Sequence, residues 1–208
     1  TLSSTVSTNL DKALQLRFLI HFVGDLHQPL HAASLFSTKF KTGDGGGNAY
    51  KIAGVSVTNL HSFWDSGAEQ WADDLARPLN ASGRAWLANW VDTILTTYPP
   101  GSFPAQLAVT NVFQWAVDSN DFAANTAYNA AQAPTNLSGS YIDAAKVQSQ
   151  YLVSLAGFRL AAIIESIFNP NAVHAGLYAA QAAAAFKEVA DAMEEPTREA
   201  HALRGGRN

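Results

Sequence analysis

Apolar residues recur at Leu10, Ala13, Leu14, Phe18 and Val23, close to the period of an α-helix with one buried face, and Asp11 complements the dipole of the first turn. A helix is therefore expected from Leu10 to about His27, bent or ended by Pro29. The glycines of KTGDGGGN, Lys41 to Asn48, mark a loop, and Ala49 to Val57 is read as a short hairpin. Further helices are expected over Leu60 to about Leu75, Ser82 to about Tyr98, Pro104 to about Tyr128 and Asn136 to about Phe168. In the last of these, Leu152, Leu155, Phe158 and Ala162 trace a buried stripe. An Ala-rich segment after Asn169-Pro170 is read as one more helix, and residues 194–208, charged and Gly-containing, as a disordered tail.

The pattern predicts one all-α domain over residues 1–193, without internal repeats. Apolar residues make up 48% of the 208, enough for a core and too many for disorder along the whole length. No run of eighteen uninterrupted apolar residues occurs, so no membrane span is expected. The chain opens at Thr1 with a polar run and no leader, and is read as a processed product or a fragment.

With no cysteine, disulfides and thiolate metal sites are excluded, and any metal must be held by imidazole, carboxylate or backbone groups. A net charge of -4 argues against holding nucleic acid through a Lys/Arg-rich surface. Asn80 and Asn136 each open an Asn-x-Ser triplet, which makes them candidate glycosylation sites and points to a secretory route.

The chemistry concentrates in the first third. His21 and Asp25, then His61 and Asp65, are both i, i+4 pairs, which on a helix place an imidazole and a carboxylate on one face. His31 follows Pro29 and adds a further imidazole. Such a set suits a borderline Lewis acid such as zinc and leaves positions open for water or substrate. A lone His-x-x-x-Asp pair is most often an ordinary ion pair; two of them around a glycine loop, in an apolar stretch, weigh the two readings about equally.

HFVGDLHQPLH, GDGGGN and NLHSFWDSG, in that order, resemble the zinc-dependent single-strand nucleases of fungi and plants, and most closely in flavour the surface 3'-nucleotidase/nucleases of trypanosomatid parasites. The resemblance covers about Asp11 to Gly67 and implies an all-α fold with three zinc ions in a cleft. Carried over by motif position, it implies that His31, His61 and Asp65 hold one zinc, and that His21 and Asp25 serve the other two, with Asp25 bridging them and activating water. It implies hydrolysis of single-stranded DNA or RNA to 5'-nucleotides, removal of phosphate from 3'-nucleotides, and a secreted or cell-surface location. Three zinc ions would bring about +6 to where a phosphate sits, which offsets the chain's own charge.

The family's remaining donors, an N-terminal Trp, a His after it, and an Asp and a His further on, have no counterpart before Leu10. The chain is thus read as the C-terminal two-thirds of the family fold. Either an N-terminal fragment of the same protein stays associated with it, or the chain is an incomplete enzyme. Two rivals stay open: a zinc phospholipase C, and a non-catalytic fragment that binds a single zinc.

Asn48 is read equally as orienting a loop at the cleft by hydrogen bonding or as a plain turn residue, and Gly45 and Gly67 stand where fungal relatives place larger side chains beside the nucleobase. His27 is read as a supporting or structural histidine, Phe63, Trp64 and Trp71 as core, and His174 and His201 as inert. Lys39, Lys41 and Lys51 are read as a solvated loop face.

Overall fold

The structure is a computed structural model that describes residues 2–71, 75–132 and 136–169. The Ala-rich segment, the tail from 194, His174 and His201 lie outside the described residues. The described chain is helical, with no strand: α1 (Asn9–Asp25), α2 (Leu60–Asp65), α3 (Ala81–Thr97), α4 (Pro104–Ala108), α5 (Val112–Asn125) and α6 (Gly139–Phe168). Short 3-10 turns lie at Pro29–Ala32, Pro100–Ser102 and Ala127–Gln132. The all-α expectation is met, and the element boundaries move for local reasons.

Helix α1 starts where Thr8 and Asp11 cap each other's backbone N–H groups, the Asp11 N–H donating to Thr8 Oγ1 at 3.1 Å and the Thr8 N–H to Asp11 Oδ2 at 3.1 Å. Those hydrogen bonds, led by the one from the Thr8 hydroxyl, hold the Asp11 carboxyl below its ordinary value. Helix α2 is much shorter than the expected 60–75. The Gly67 N–H donates to Trp64 O at 3.0 Å and the Ala68 N–H to Phe63 O at 2.9 Å, the pair of bonds that closes a helix through a left-handed glycine. Gly67, Ala68 and Glu69 all have φ near +60°. Burial of Ala68 against Phe63, both fully inaccessible, helps offset the cost of a left-handed alanine.

The expected helix over 104–128 is broken into α4 and α5, because Asn111 leaves the helical path to cap α5 through the Phe113 N–H at 2.9 Å. The hairpin near 49–57 reduces to an isolated antiparallel bridge between Lys51 and Asn59, and Ala53 makes another bridge to Asn136.

Helix α6 is the central element and packs on α1, α3 and α4. Its length and mean hydropathy of 1.6 would let it cross a membrane, but its apolar side chains are those of a core helix, with Leu152, Leu155, Ala156 and Ile163 buried. Two clusters form around it. One gathers Leu30, Leu60, Phe63, Trp64 and Ala145; the other gathers Val23, Trp115, Ala156 and Ile163. Phe63 and Trp64 are core as expected, whereas Trp71 is only partly buried. Of the α1 stripe, Val23 alone is buried: Leu10 is 79% exposed, and Ala13, Leu14 and Phe18 also face outward.

Beneath the second cluster lies Arg159, 1% exposed, 4.6 Å from the Trp115 ring centroid, donating through Nη2 to Gln106 O at 2.9 Å and 3.7 Å from Asp118. It also donates through Nη1 to His27 Nε2 at 2.8 Å, while His27 Nδ1, 2.7 Å from Val23 O, carries the ring's proton. His27 is therefore a structural acceptor. Burial foremost, then the charge of Arg159, outweigh the bond to Val23 and push its imidazole down to about 4.

An unfolded chain protonates this histidine below about pH 6.5, whereas the folded one resists until about pH 4. The resulting stability is complete above pH 6.5 and is lost as pH falls from there toward 4. Denaturant titrations across that window are expected to lose on the order of 3 kcal/mol. His27→Gln, which cannot titrate, should flatten that part of the slope.

Candidate metal centre

Three segments bring their His and Asp side chains together. The end of α1 presents His21 and Asp25, the 3-10 turn Pro29–Ala32 presents His31, and α2 presents His61 and Asp65. Asn59 starts α2 by accepting the Ser62 N–H at 2.8 Å, so that His61 and Asp65 lie one turn apart on the same face.

The five side chains form one continuous series. His21 Nε2 lies 3.2 Å from Asp25 Oδ2, and Asp25 Oδ1 lies 3.5 Å from His31 Nδ1. His31 Nε2 is 3.2 Å from Asp65 Oδ1, and Asp65 Oδ2 is 3.3 Å from His61 Nε2. The His31 and His61 rings stack, with centroids 5.0 Å apart. Every residue expected to ligate metal is in this series, although unevenly enclosed: the His21 side chain is 67% exposed and that of His61 19%.

The hydrogen bond to Asp65, opposed by burial and aided by the charges of Asp25 and Asp65, raises the pKa of His31. Burial alone would raise Asp65, yet hydrogen bonds from His31 and Gln28 and the charges of His61 and His31 hold its carboxyl below the usual range. The Asp65 shift keeps the carboxylate ionised, as a cation needs, whereas a metal at His31 has to displace the proton that its raised pKa favours.

Among the described residues, His31, His61 and Asp65 each offer a donor atom within 4.8 Å of the others. This trio fits a metal of zinc's character in number and in kind. His61 Nδ1 lies 2.7 Å from Gly46 O, an acceptor that fixes the proton on Nδ1 and frees Nε2 to ligate. The carbonyl is there because GDGGGN crosses close to the turn before it: at Gly46, with φ +64°, a Cβ would lie 2.3 Å from Leu30 O. Asp44 anchors the loop from inside the core, accepting from the Leu35 N–H and the Tyr128 hydroxyl at 2.9 Å each. Asn48 donates through Nδ2 to Gly45 O at 2.9 Å, a bond within the loop that either of its expected roles would make.

Two supporting residues went unnoticed in the sequence. Gln28 caps the His31 turn through the Leu30 N–H and donates through Nε2 to Asp65 Oδ1 at 2.7 Å, tying that turn to α2. Its place in HQPLH, just before Pro29, was the available signal. Asp44 was readable only as part of a loop.

Helices around a cleft with this His/Asp series define an all-α protein whose His31, His61 and Asp65 could hold a metal ion. Over residues 1–169 the sequence matches the S1/P1 Nuclease family, and the chain belongs to it. It is 29% identical over 180 residues to Nuclease S1 of Aspergillus oryzae, an alignment that covers 77% of this chain and 57% of that protein. It is 32% identical over 179 residues to Endonuclease 4 of Arabidopsis thaliana, covering 82% and 55% respectively. With Nuclease P1 of Penicillium citrinum the identity is 27% over 187 residues, covering 79% and 61%. The chain thus spans somewhat more than half the length of these relatives. No solved structure matches it.

Gly46→Ala is expected to lower zinc affinity roughly 10- to 100-fold, as losing a histidine's outer partner does. Competition with a chromophoric chelator measures this. Unchanged affinity would show that the Gly46 carbonyl does not orient His61.

Proposed function

We propose that this chain forms the larger part of a zinc-dependent phosphoesterase that hydrolyses single-stranded DNA and RNA to 5'-nucleotides and removes phosphate from 3'-nucleotides. The observation that carries the reading is the unbroken series His21, Asp25, His31, Asp65, His61, the first four of which line a cleft of about 420 Å³, in a member of the S1/P1 nuclease family. The names of Nuclease S1 and Endonuclease 4 support nucleic acid as the substrate.

In this reading His31, His61 and Asp65 would hold one zinc, and His21 and Asp25 would contribute donors to two more. Zinc on such donors supplies Lewis acidity, which polarises a phosphoryl oxygen and makes a water molecule acidic enough to attack near neutral pH. Water adds across the P–O3' bond, and the phosphate stays on the 5' side of the product.

The chain's own residues orient and hold. Gly46 O keeps the His61 proton on Nδ1, and Gln28 Nε2 fixes the Asp65 carboxylate beside His31. Asn48 holds the GDGGGN loop through Gly45 O, and that loop supplies the Gly46 carbonyl beside His61.

The remaining donors belong, in this reading, to an N-terminal segment of the same protein. The outward-facing Leu10, Leu14, Phe18 and Phe22 of α1, on the helix that carries His21, are the surface suited to receive it. A secreted or cell-surface location is supported by the exposed sequon residues Asn80 and Asn136, proposed to carry glycans.

Substrate comparison tests the reading. The purified protein is expected to hydrolyse single-stranded DNA and 3'-AMP but not phosphatidylcholine; activity on the lipid alone would assign it to the phospholipase C class instead. Intact mass and zinc quantification on the same material should find a second polypeptide and about three zinc ions. About one zinc and no turnover would instead favour the single-zinc fragment, for which the compact His31, His61, Asp65 trio speaks.

A further inference from the structure

Histidines aside, the charged residues between Asp25 and Asp65 are Lys39, Lys41, Asp44 and Lys51. The fold separates the two signs. Asp44 is 1% exposed, its Oδ1 accepting from the Leu35 N–H and the Tyr128 hydroxyl. The three lysines are exposed, and among the described residues none of them is in an ion pair. A chain of net charge -4 thus presents a locally positive face.

The lysines gather around one ring pair. Phe40 and Tyr50 are buried with centroids 5.8 Å apart, and Lys39 Nζ stands 5.3 Å from the first and 5.7 Å from the second. Lys41 follows Phe40 in the chain, and Lys51 follows Tyr50. The loop that carries Lys39 and Lys41 is closed at its base, where the Asp44 N–H donates to Leu35 O at 3.1 Å in return for the bond to its carboxylate. A loop held in this way loses little backbone freedom when an anion arrives.

The face is also tied to the His/Asp series. Gly46, whose carbonyl meets His61 Nδ1, follows Gly43 by a stretch of chain no longer than about 11 Å. On the other side Lys51 bridges to Asn59, the residue that caps α2 ahead of His61.

We propose that Lys39, Lys41 and Lys51 form a backbone-binding face outside the cleft, which holds phosphates flanking the nucleotide that meets the His/Asp series. This rests on the nuclease reading above. Contacts to phosphate ignore the base, so the face predicts tighter binding of longer strands, whatever their sequence, with a salt dependence that the three lysines carry. Phe36, 68% exposed on the same loop, gives an anionic bilayer a competing claim on it. The tie to His61 favours the strand.

The test compares zinc-loaded wild type with the triple variant Lys39→Gln, Lys41→Gln, Lys51→Gln. Binding of a labelled phosphorothioate thymidylate strand, chosen to resist cleavage, is followed by fluorescence anisotropy over a salt series. Kinetics are measured on the cleavable strand and on 3'-AMP. The variant is expected to bind roughly 10-fold more weakly at low salt, and its slope of log affinity against log salt to be shallower by about 2, since each phosphate held on a single strand contributes about 0.7. KM on the cleavable strand rises in parallel, while kcat on that strand and both constants on 3'-AMP keep their wild-type values. Unchanged slope and affinity overturn the face and leave the nuclease reading standing. An equal loss on 3'-AMP overturns it too, because the lysines then act on the cleft itself. A variant that loses phosphatidylserine vesicles but keeps the strand gives the face to the bilayer instead. Wild type that binds the strand with the lysine-dependent slope yet cleaves neither substrate upholds the face and defeats the nuclease reading alone.

Discussion

The site depends on how the chain turns after α1. Pro29 and Leu30 are buried, α5 packs along the Pro29–Ala32 turn, and two side chains of α5 hold it by its backbone. The Ser119 hydroxyl donates to Leu26 O, and Asn120 Nδ2 donates to Ala32 O at 2.8 Å. Pinned at both ends, the turn carries His31 into the space between Asp25 and Asp65, 3.5 and 3.2 Å from their oxygens. Without it the protein would hold two separate i, i+4 pairs on two helices rather than one series. The same turn brings Leu30 O under Gly46, so the loop carbonyl that orients His61 is placed by the same constraint.

Electrostatics gives the series its chemical bias. Two carboxylates share an imidazole, and Asp65 remains ionised despite partial burial because Gln28 and His31 donate to it. A cluster of carboxylate oxygens and imidazole nitrogens offers a cation a local donor set in a chain of net charge -4. His27, two residues from Asp25, shows the opposite arrangement. Its nitrogens are consumed by Val23 O and Arg159, so the histidine nearest the cluster in sequence braces helices. What separates the two outcomes is the neighbour each ring meets, a carboxylate or a buried guanidinium.

The helical class and the two same-face His/Asp pairs were legible because both follow from local rules: a 3.6-residue period, and the geometry of residues four apart on a helix. Boundaries were less so. Nothing in the periodicity of 60–75 announces that Gly67 will take φ +59° and that Ala68 will follow it into the left-handed region; burial of Ala68 helps to stabilise that turn. For the same reason Trp71, which sits at helical spacing after Phe63 and Trp64, reads as core in the sequence and lines the cleft in the structure. The apolar stripe of α1 was a correct sign of helix, yet it did not tell which of its members this chain covers.

By itself the sequence determined which atoms are available: the imidazoles and carboxylates, their spacing by four, the glycines of GDGGGN, and the exclusion of thiolate chemistry. These are local or compositional properties, and no packing can change them. Only the tertiary structure decided that the two pairs and His31 join in the order His21, Asp25, His31, Asp65, His61, that Gln28 and Gly46 tune them, and that Trp71 faces the cleft. Each of those outcomes depends on contacts between segments far apart in the chain, such as α5 on the Pro29–Ala32 turn and α6 on the turn after α2. Pairings of that kind are set by how two buried surfaces fit, which the residues of neither segment express alone.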